Sequence, residues 1–553
     1  MAPDIFSFII GILPVAWLFV ALCVFRLPGH IACPGGLVLA AALAFFKLAM
    51  PGRDVATAAL EGGIFAIWPI LLVTIAALIL YKYSVATGGM DVIVKLITGI
   101  SKDKRILVLM LAWGFGSFLE AIAGFGSPVL IPGSILVSLG FNPMFAIVVC
   151  LVANTIPTPF ATIGIPVMTL SGVTGLDAGV IGYNVATMLF LPCLILPFLI
   201  VMMTGGGVKA IKGVGLITLI AGLSLALPLL LVSRFMGPEL PALFGSLCTI
   251  FCTAVAGKKL YKDSAENRKY WIAAQNEPTE ALLAGGVSGG SITSGGQITK
   301  EVSEGSLAES GHMAGPGRPV AGKRPVSVFQ ACLPFLLVLI FVAATRLIAP
   351  LDAVLARFKF DIVVYTGPDG YTLDFSFLLA AGILILISTF LACLIQGFRI
   401  TELLSIIRKT IAESKYMCVT VITIIAMAKI MDYSGMTHAI ALTLVAVFSV
   451  FYPLVAPLIG MFGVFITGSN TTCSILFGNL QASAAGAIGA DPSWIVSSNL
   501  SAAALGKMIS PQSVAVGIRI GGLEGREGDV IRQTLKYSLF CTAIVCLITY
   551  FFG

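Results

Sequence analysis

Charge is what this chain has least of. Only 11% of its 553 residues are Asp, Glu, Lys or Arg, where a soluble domain carries about 25%, so water is not its main solvent. Histidine is rarer still: His30, His312 and His438 share no motif with acids at ligand spacing, and zinc chemistry of the His-Glu-x-x-His kind is absent. No Gly-x-x-x-x-Gly-Lys-Ser/Thr loop occurs, which argues against direct drive by ATP. The twelve cysteines include no Cys-x-x-Cys pair, and most lie in apolar runs, where a thiol behaves as a small hydrophobe. No nucleophile–base pair is visible. An enzyme is therefore not expected, and neither is a cofactor, a metal or a nucleic-acid partner.

Apolar sequence is what the chain has instead. Hydrophobic residues make up 58% and the mean hydropathy is +1.04. Apolar runs recur from end to end, among them 6–25, 29–46, 62–81, 180–203, 214–232, 326–344, 375–395 and 534–552. At about 20 residues per crossing, these and the shorter pieces between them predict an all-α polytopic membrane protein with about 12–14 transmembrane helices. The opening segment lacks a basic leader and ends at Arg26, which reads as a retained span rather than a cleaved signal.

The basic residues orient the chain. They gather at 82–105, 209–212, 258–324, 399–415 and 519–536, whereas the loop from Arg346 to Asp374 carries Asp352, Asp361, Asp369 and Asp374. By the positive-inside rule the first set is cytoplasmic and the last is external. The insert between Lys258 and Arg324 is rich in glycine and serine, as in GGVSGGSITSGG. Such a composition buries no core and predicts a flexible cytoplasmic linker between two halves. The expected divisions are N-terminal scaffold helices over 1–104, a first transport cassette over 105–204 and connecting helices over 205–257. The linker follows over 258–325, then scaffold helices over 326–458, a second cassette over 459–516, and a cytoplasmic loop with a final helix over 517–553.

Within the apolar sequence, one acid stands alone. Glu120 is the single charge from Ile106 to Gly140, and on a helix it lies about 22 Å from the charged entrance at Arg105. A carboxylate at that depth needs a partner, a wet cavity or a proton, and is a functional candidate. The structural alternative is an acid bonded to a neighbouring helix. Lys507 is the matching base, the single charge between Asp491 and Arg519. It suits an anionic substrate or Glu120 itself, with snorkelling as the competing role. Lys429 and Asp432 stand three apart, fit pairing along one helix face, and read as structural. Arg234 and Glu239 flank the turn Met236-Gly237-Pro238 and are expected to cap an external loop.

The helix breakers recur in two cassettes. The first has Gly126-Ser127-Pro128, the turn Gly140-Phe141-Asn142-Pro143, then Asn154-Thr155 and Pro166. The second has Gly468-Ser469-Asn470-Thr471, the turn Gly489-Ala490-Asp491-Pro492, then Asn499, Lys507 and Pro511. The interval from Asn154 to Pro166 equals that from Asn499 to Pro511. Broken backbone at membrane depth is tolerated where protein or a water-filled cavity receives its polar groups, and half-helix N-termini suit a small anion. Matched breaks in two halves point to a transporter's midplane site. The alternative is that Gly and Pro merely kink transmembrane helices. The exits of the cassettes differ in charge, which is compatible with inverted repeats.

These strings carry a resemblance. Segments 116–129 (GSFLEAIAGFGSPV), 152–167 (VANTIPTPFATIGIPV), 236–243 (MGPELPAL), 463–472 (GVFITGSNTT) and 506–516 (GKMISPQSVAV) resemble the L-lactate permease family and, more loosely, the wider ion-transporter superfamily. The resemblance implies proton symport of lactate, glycolate and related 2-hydroxymonocarboxylates across the bacterial cytoplasmic membrane. It also implies two inverted repeats with re-entrant hairpins and discontinuous helices, moving as an elevator; a homodimer is compatible with it. By the same resemblance Glu120 is the proton-coupling acid. The substrate contacts are Lys507 with Gly126, Ser127, Asn154, Thr155, Gly468, Ser469, Asn470, Thr471, Asn499, Ser510 and Gln512, and the 2-hydroxyl is assigned to Asn154 or Asn499. Some relatives carry an aspartate where this chain has Asn470, which leaves the coupling stoichiometry open. A sodium-coupled carboxylate transporter or an ion/proton exchanger is the alternative. Antiporter-like pump subunits are disfavoured, because they would carry a longer row of buried bases.

Overall fold

Apolar runs punctuated by Gly and Pro give a bundle of helices, several of them broken. In the computed structural model the described residues are 5–21, 25, 27–124, 126–272, 326–348, 354–367, 372–376, 378, 380–518, 523 and 526–553. The linker expected over 258–325 lies outside them from residue 273 onward, as do Asp352, Asp369 and Arg519.

The N-terminal helices are α1 (Ile5–Phe19), α2 (Gly29–Phe46), α3 (Gly52–Phe65), α4 (Leu72–Ala86) and α5 (Gly89–Thr98). The first cassette follows as α6 (Lys104–Ile122), α7 (Ser127–Ser138), α8 (Pro143–Ala153) and α9 (Ala161–Thr174). Next come α10 (Ala178–Gly205), α11 (Gly215–Met236), α12 (Pro241–Lys259) and α13 (Val328–Leu347). An antiparallel ribbon, β1 (Lys359–Val363) against β2 (Thr372–Ser376), pairs Asp361 with Asp374. After it come α14 (Ala381–Gln396), α15 (Ile400–Glu413), α16 (Lys415–Tyr433) and α17 (Met436–Phe448). The second cassette is α18 (Tyr452–Thr467), α19 (Asn470–Ile488), α20 (Pro492–Gly506) and α21 (Pro511–Ile518), and α22 (Glu527–Phe552) closes the chain.

This is an all-α polytopic membrane protein apart from that ribbon. Among the described residues ten helices are long and apolar enough to cross a membrane, or eleven if the pair α8 and Thr158–Thr174, bent by 67°, counts as one. The remaining apolar helices are shorter: the Gly126-Ser127-Pro128 break delimits α7, and the start of the run expected over 375–395 belongs to β2, which leaves α14 from Ala381.

The order of elements is the same in the two cassettes: helix, break, helix, turn, helix, break, helix. The turns match in detail. Asn142 caps α8 by accepting from the Met144 and Phe145 N–H groups, and Asp491 caps α20 by accepting from Ser493 N–H, as N-cap side chains do. The equal Asn–Pro spacing does not correspond to equal structure. Asn154 lies at the end of α8, whereas Asn499 sits inside α20, which continues to Gly506. The helix before the second break is simply longer.

Small residues let the cassettes interlock, as in membrane bundles generally. A Cβ on Gly460 would fall 2.0 Å from the Asn499 carbonyl oxygen, and one on Gly506 2.6 Å from that of Met461, so α18 and α20 meet backbone to backbone. Gly478 of α19 faces Leu170 and Thr174 of α9, and Gly517 of α21 faces Ile147 of α8. Helix α6 is buried from Arg105 to Ile122.

At the foot of α6 every Arg105 N–H is used. The guanidinium donates to both Asp103 oxygens (3.0 and 2.7 Å), to the Ala210 and Lys212 carbonyls, and to Asn267 Oδ1. It also lies 3.9 Å from the Tyr270 ring centre. The start of the expected linker, up to Ile272, is thereby docked onto the first cassette, with Lys104 N–H donating to the Tyr270 carbonyl.

Candidate functional site

The breaks place polar groups inside the bundle. Helix α6 ends because Gly124 and Gly126 adopt left-handed φ of 55° and 85°, which glycine reaches without the Cβ penalty. Helix α18 ends the same way at Gly468, φ 70°. Ser127 and Ser469 then work on the backbone: Ser127 Oγ donates to the Gly124 carbonyl (2.7 Å) and Ser469 Oγ accepts from Thr472 N–H (3.2 Å). At the start of α9, Thr162, Ile163 and Gly164 are successive left-handed residues. Two β-branched residues there store strain, of order 1–3 kcal/mol each. Close packing fixes the turn, since a Cβ on Gly164 would meet the Pro238 carbonyl oxygen at 2.4 Å.

The central interaction joins the cassettes. Lys507 Nζ, where α20 gives way to a 3-10 turn, donates to Glu120 Oε1 at 2.7 Å. The Glu120 side chain is fully buried and that of Lys507 keeps 15% exposure, so the ammonium is the member an incoming anion meets first. Glu120 Oε2 has no hydrogen-bond partner among the described residues.

Around this pair the sequence candidates divide into two groups. Ser510 Oγ, Asn154 Oδ1 and both polar atoms of Asn470 are buried without a partner among the described residues. Buried polar groups are rarely left so, and these belong to the breaks of three different segments. Asn499 falls in the other group. It accepts from Gln481 Nε2 (3.1 Å), whose Oε1 accepts from Tyr452 OH (2.8 Å), and its own amide faces Cys473 Sγ. Of the two asparagines assigned to a hydroxyl, Asn154 is therefore the one with a free acceptor. Thr155 donates to the Val152 carbonyl, and Thr471 is half-buried.

Contacts between break segments complete the site. A Cβ on Gly124 would lie 2.9 Å from Thr162 Oγ1, one on Gly126 2.8 Å from Val516, and one on Gly468 1.8 Å from Gln512 Oε1. Gly468→Ala is expected to cost transport at least about tenfold, since it adds a left-handed strain and displaces Gln512. Substrate exchange in reconstituted protein measures this, and a variant exchanging at the wild-type rate would remove Gly468 from the site.

The sequence reading missed three features. Ser474, one turn past Asn470, has a buried hydroxyl without a partner. Glu239 is 3% exposed rather than an exposed loop cap, while Arg234 lies over the Tyr183 ring. Lys429 meets an acid from another helix, Glu61 Oε1, at 3.0 Å. The rule that singled out Glu120 applies equally to Glu61, one acid at the head of an apolar run.

The model of the family described as L-lactate permease matches residues 7–552. The chain belongs to the L-lactate permease family. It is 40% identical to an L-lactate permease of Streptococcus iniae over 89% of this chain and 93% of that one. It is 32% identical to the glycolate permease GlcA of Escherichia coli (strain K12) and 33% identical to an L-lactate permease of Bacillus subtilis (strain 168). Each of those alignments covers 98% of this chain and 95% of the relative.

Proposed function

We propose that this member of the L-lactate permease family imports L-lactate, and with it D-lactate and glycolate, across the bacterial cytoplasmic membrane by proton symport. The observation that carries the reading is the Glu120–Lys507 pair at 2.7 Å. An incoming carboxylate competes with Glu120 for the ammonium. Protonating Glu120 removes the competitor, so proton and anion bind together by linkage. The empty site is then neutral as an ion pair, and the loaded site is neutral as protonated Glu120 with a lysine–carboxylate pair. A site holding the anion without the proton, or the proton without the anion, carries a net charge and crosses poorly. Symport follows from those charge states.

Ser510, Asn154 and Asn470 supply donors and acceptors for the carboxylate and the 2-hydroxyl, with backbone N–H groups at the Gly126 and Gly468 breaks. The two cassettes, interlocked through α9 with α19 and α8 with α21, are read as inverted repeats with re-entrant hairpins that move as one body against the other helices. A sodium-coupled carboxylate transporter is the second reading, favoured by the buried, unpartnered oxygens Asn470 Oδ1 and Ser474 Oγ, which suit a hard cation.

Labelled L-lactate uptake into proteoliposomes under an imposed inward proton gradient, with and without sodium, tests both. Proton-driven accumulation inhibited by excess glycolate is the expected result. A strict sodium requirement without a pH response would establish the second reading, and no lactate flux in folded protein would overturn the substrate assignment.

A further inference from the structure

The central pair is balanced, one carboxylate to one ammonium. A second buried cluster is not. Glu61 of α3 is fully buried and Lys429 of α16 is 1% exposed, with Lys429 Nζ 3.0 Å from Glu61 Oε1. Tyr433 OH reaches both Glu61 oxygens, at 2.9 and 3.0 Å. Asp432, half-buried on the same helix, lies within electrostatic reach of both Lys429 and Glu61. Two carboxyls thus stand near one ammonium, and only Glu61 is paired with it. A surplus charge there is costly, and one proton shared by the two carboxyls neutralises the cluster.

Among the described residues the packed helices bring no other buried base: Lys47 at the end of α2, Arg53 of α3 and Arg408 and Lys409 of α15 are exposed. Helix α2 packs on α16, but its His30 ring lies tilted against Tyr416, about 24 Å along the helix from Asp432. His438 of α17 is exposed, and α19 brings no acid or base but Cys473. Helices α3 and α16 meet closely enough that a Cβ on Gly62 would lie 2.6 Å from Ala426 Cα, so added water between them is sterically excluded at that level.

A route leads outward from Glu61. Tyr433 stacks on Tyr365, with ring centres 3.7 Å apart and planes at 5°. Tyr365 is in the loop that continues β1, and the next residue, Thr366, donates to Asp54 Oδ1 at 2.7 Å. Asp54 lies two helical turns before Glu61, at the end of α3 that the positive-inside rule places outside. Below Glu61 the helix breaks at Trp68, φ −123° and ψ 115°, and α16 packs on α19 of the second cassette. The cluster therefore touches the outer face at one end and the moving cassette at the other.

We propose that Glu61, Asp432, Lys429 and Tyr433 form a second proton-binding site, which takes up one proton from the outer face and releases it inside in each transport cycle. The inference rests on the symport reading and extends it. One lactate with one proton through Glu120 moves no net charge; a second proton makes the cycle carry one positive charge inward. Proteoliposomes under an inside-negative potassium diffusion potential, without a pH gradient, should then accumulate lactate about tenfold for each 59 mV. Asp432→Asn removes the surplus carboxyl and leaves the Glu61–Lys429 pair intact. It should abolish accumulation driven by the potential while keeping accumulation driven by a pH gradient, a split that a packing defect would not produce. The triple variant Glu61→Gln/Lys429→Gln/Asp432→Asn, which leaves no charge in the cluster, should do the same. A wild-type protein indifferent to the potential, or an Asp432→Asn protein that still responds to it, overturns the second site. Absence of pH-driven accumulation in the wild type overturns the symport reading itself.

Discussion

Lys507→Ala is expected to abolish net uptake and to weaken substrate exchange by about 10- to 100-fold. A hydrogen bond to a charged group contributes about 1.5–3 kcal/mol, and each 1.4 kcal/mol is about tenfold in affinity. The same substitution strands Glu120, whose side chain is fully buried and whose Oε2 already lacks a partner. Breaking a buried pair from one side costs about 3–5 kcal/mol, so the variant should also unfold at a lower temperature in detergent. The two effects separate in Lys507→Ala/Glu120→Gln. Removing the stranded charge should restore thermal stability, yet exchange should stay low because nothing replaces the ammonium. Recovery of exchange along with stability would reduce Lys507 to a structural role.

That separation matters because much of the site was readable one residue at a time, but its partnerships were not. Glu120 and Lys507 stand out in sequence because each is a lone charge in apolar surroundings. The helix breaks were readable too, since Gly126 and Gly468 take the left-handed conformations that glycine permits. Pairing was harder. Lys429 looks self-sufficient beside Asp432, because spacing of three is a local rule, whereas Glu61 approaches from α3 through packing that local rules do not contain. Asn499 misled for a related reason. Its distance from Pro511 matches that of Asn154 from Pro166, but the helix around it runs longer, and Gln481, itself held by Tyr452, donates to its amide oxygen. The Arg105 knot was equally hidden. Its acceptors come from residues 103, 210, 212 and 267, and two of them are main-chain carbonyls that no side-chain pattern reveals.

Glu120→Gln tests the coupling itself and should have the opposite profile to Lys507→Ala. Gln keeps an amide oxygen to accept from Lys507 Nζ, so the variant should lose less stability. It is also a permanent mimic of protonated Glu120: the ammonium is free for the substrate at every pH. In the wild type, proton and anion bind together, and without the proton the 2.7 Å pair excludes the anion, so exchange should fall as pH rises. In Glu120→Gln that dependence should flatten, and exchange above neutral pH should equal or exceed the wild-type rate. Accumulation should move the other way. Each coupled proton contributes about tenfold to the accumulation ratio per unit of pH gradient, and without Glu120 that factor disappears. Lactate–lactate exchange across a pH series, set beside accumulation under a gradient of about one pH unit, measures both quantities in one preparation. A Glu120→Gln protein that still accumulates lactate with the full wild-type response to the gradient would place the coupling proton elsewhere. Loss of exchange together with accumulation in a protein of normal stability would instead make Glu120 a direct substrate ligand rather than the competitor for Lys507.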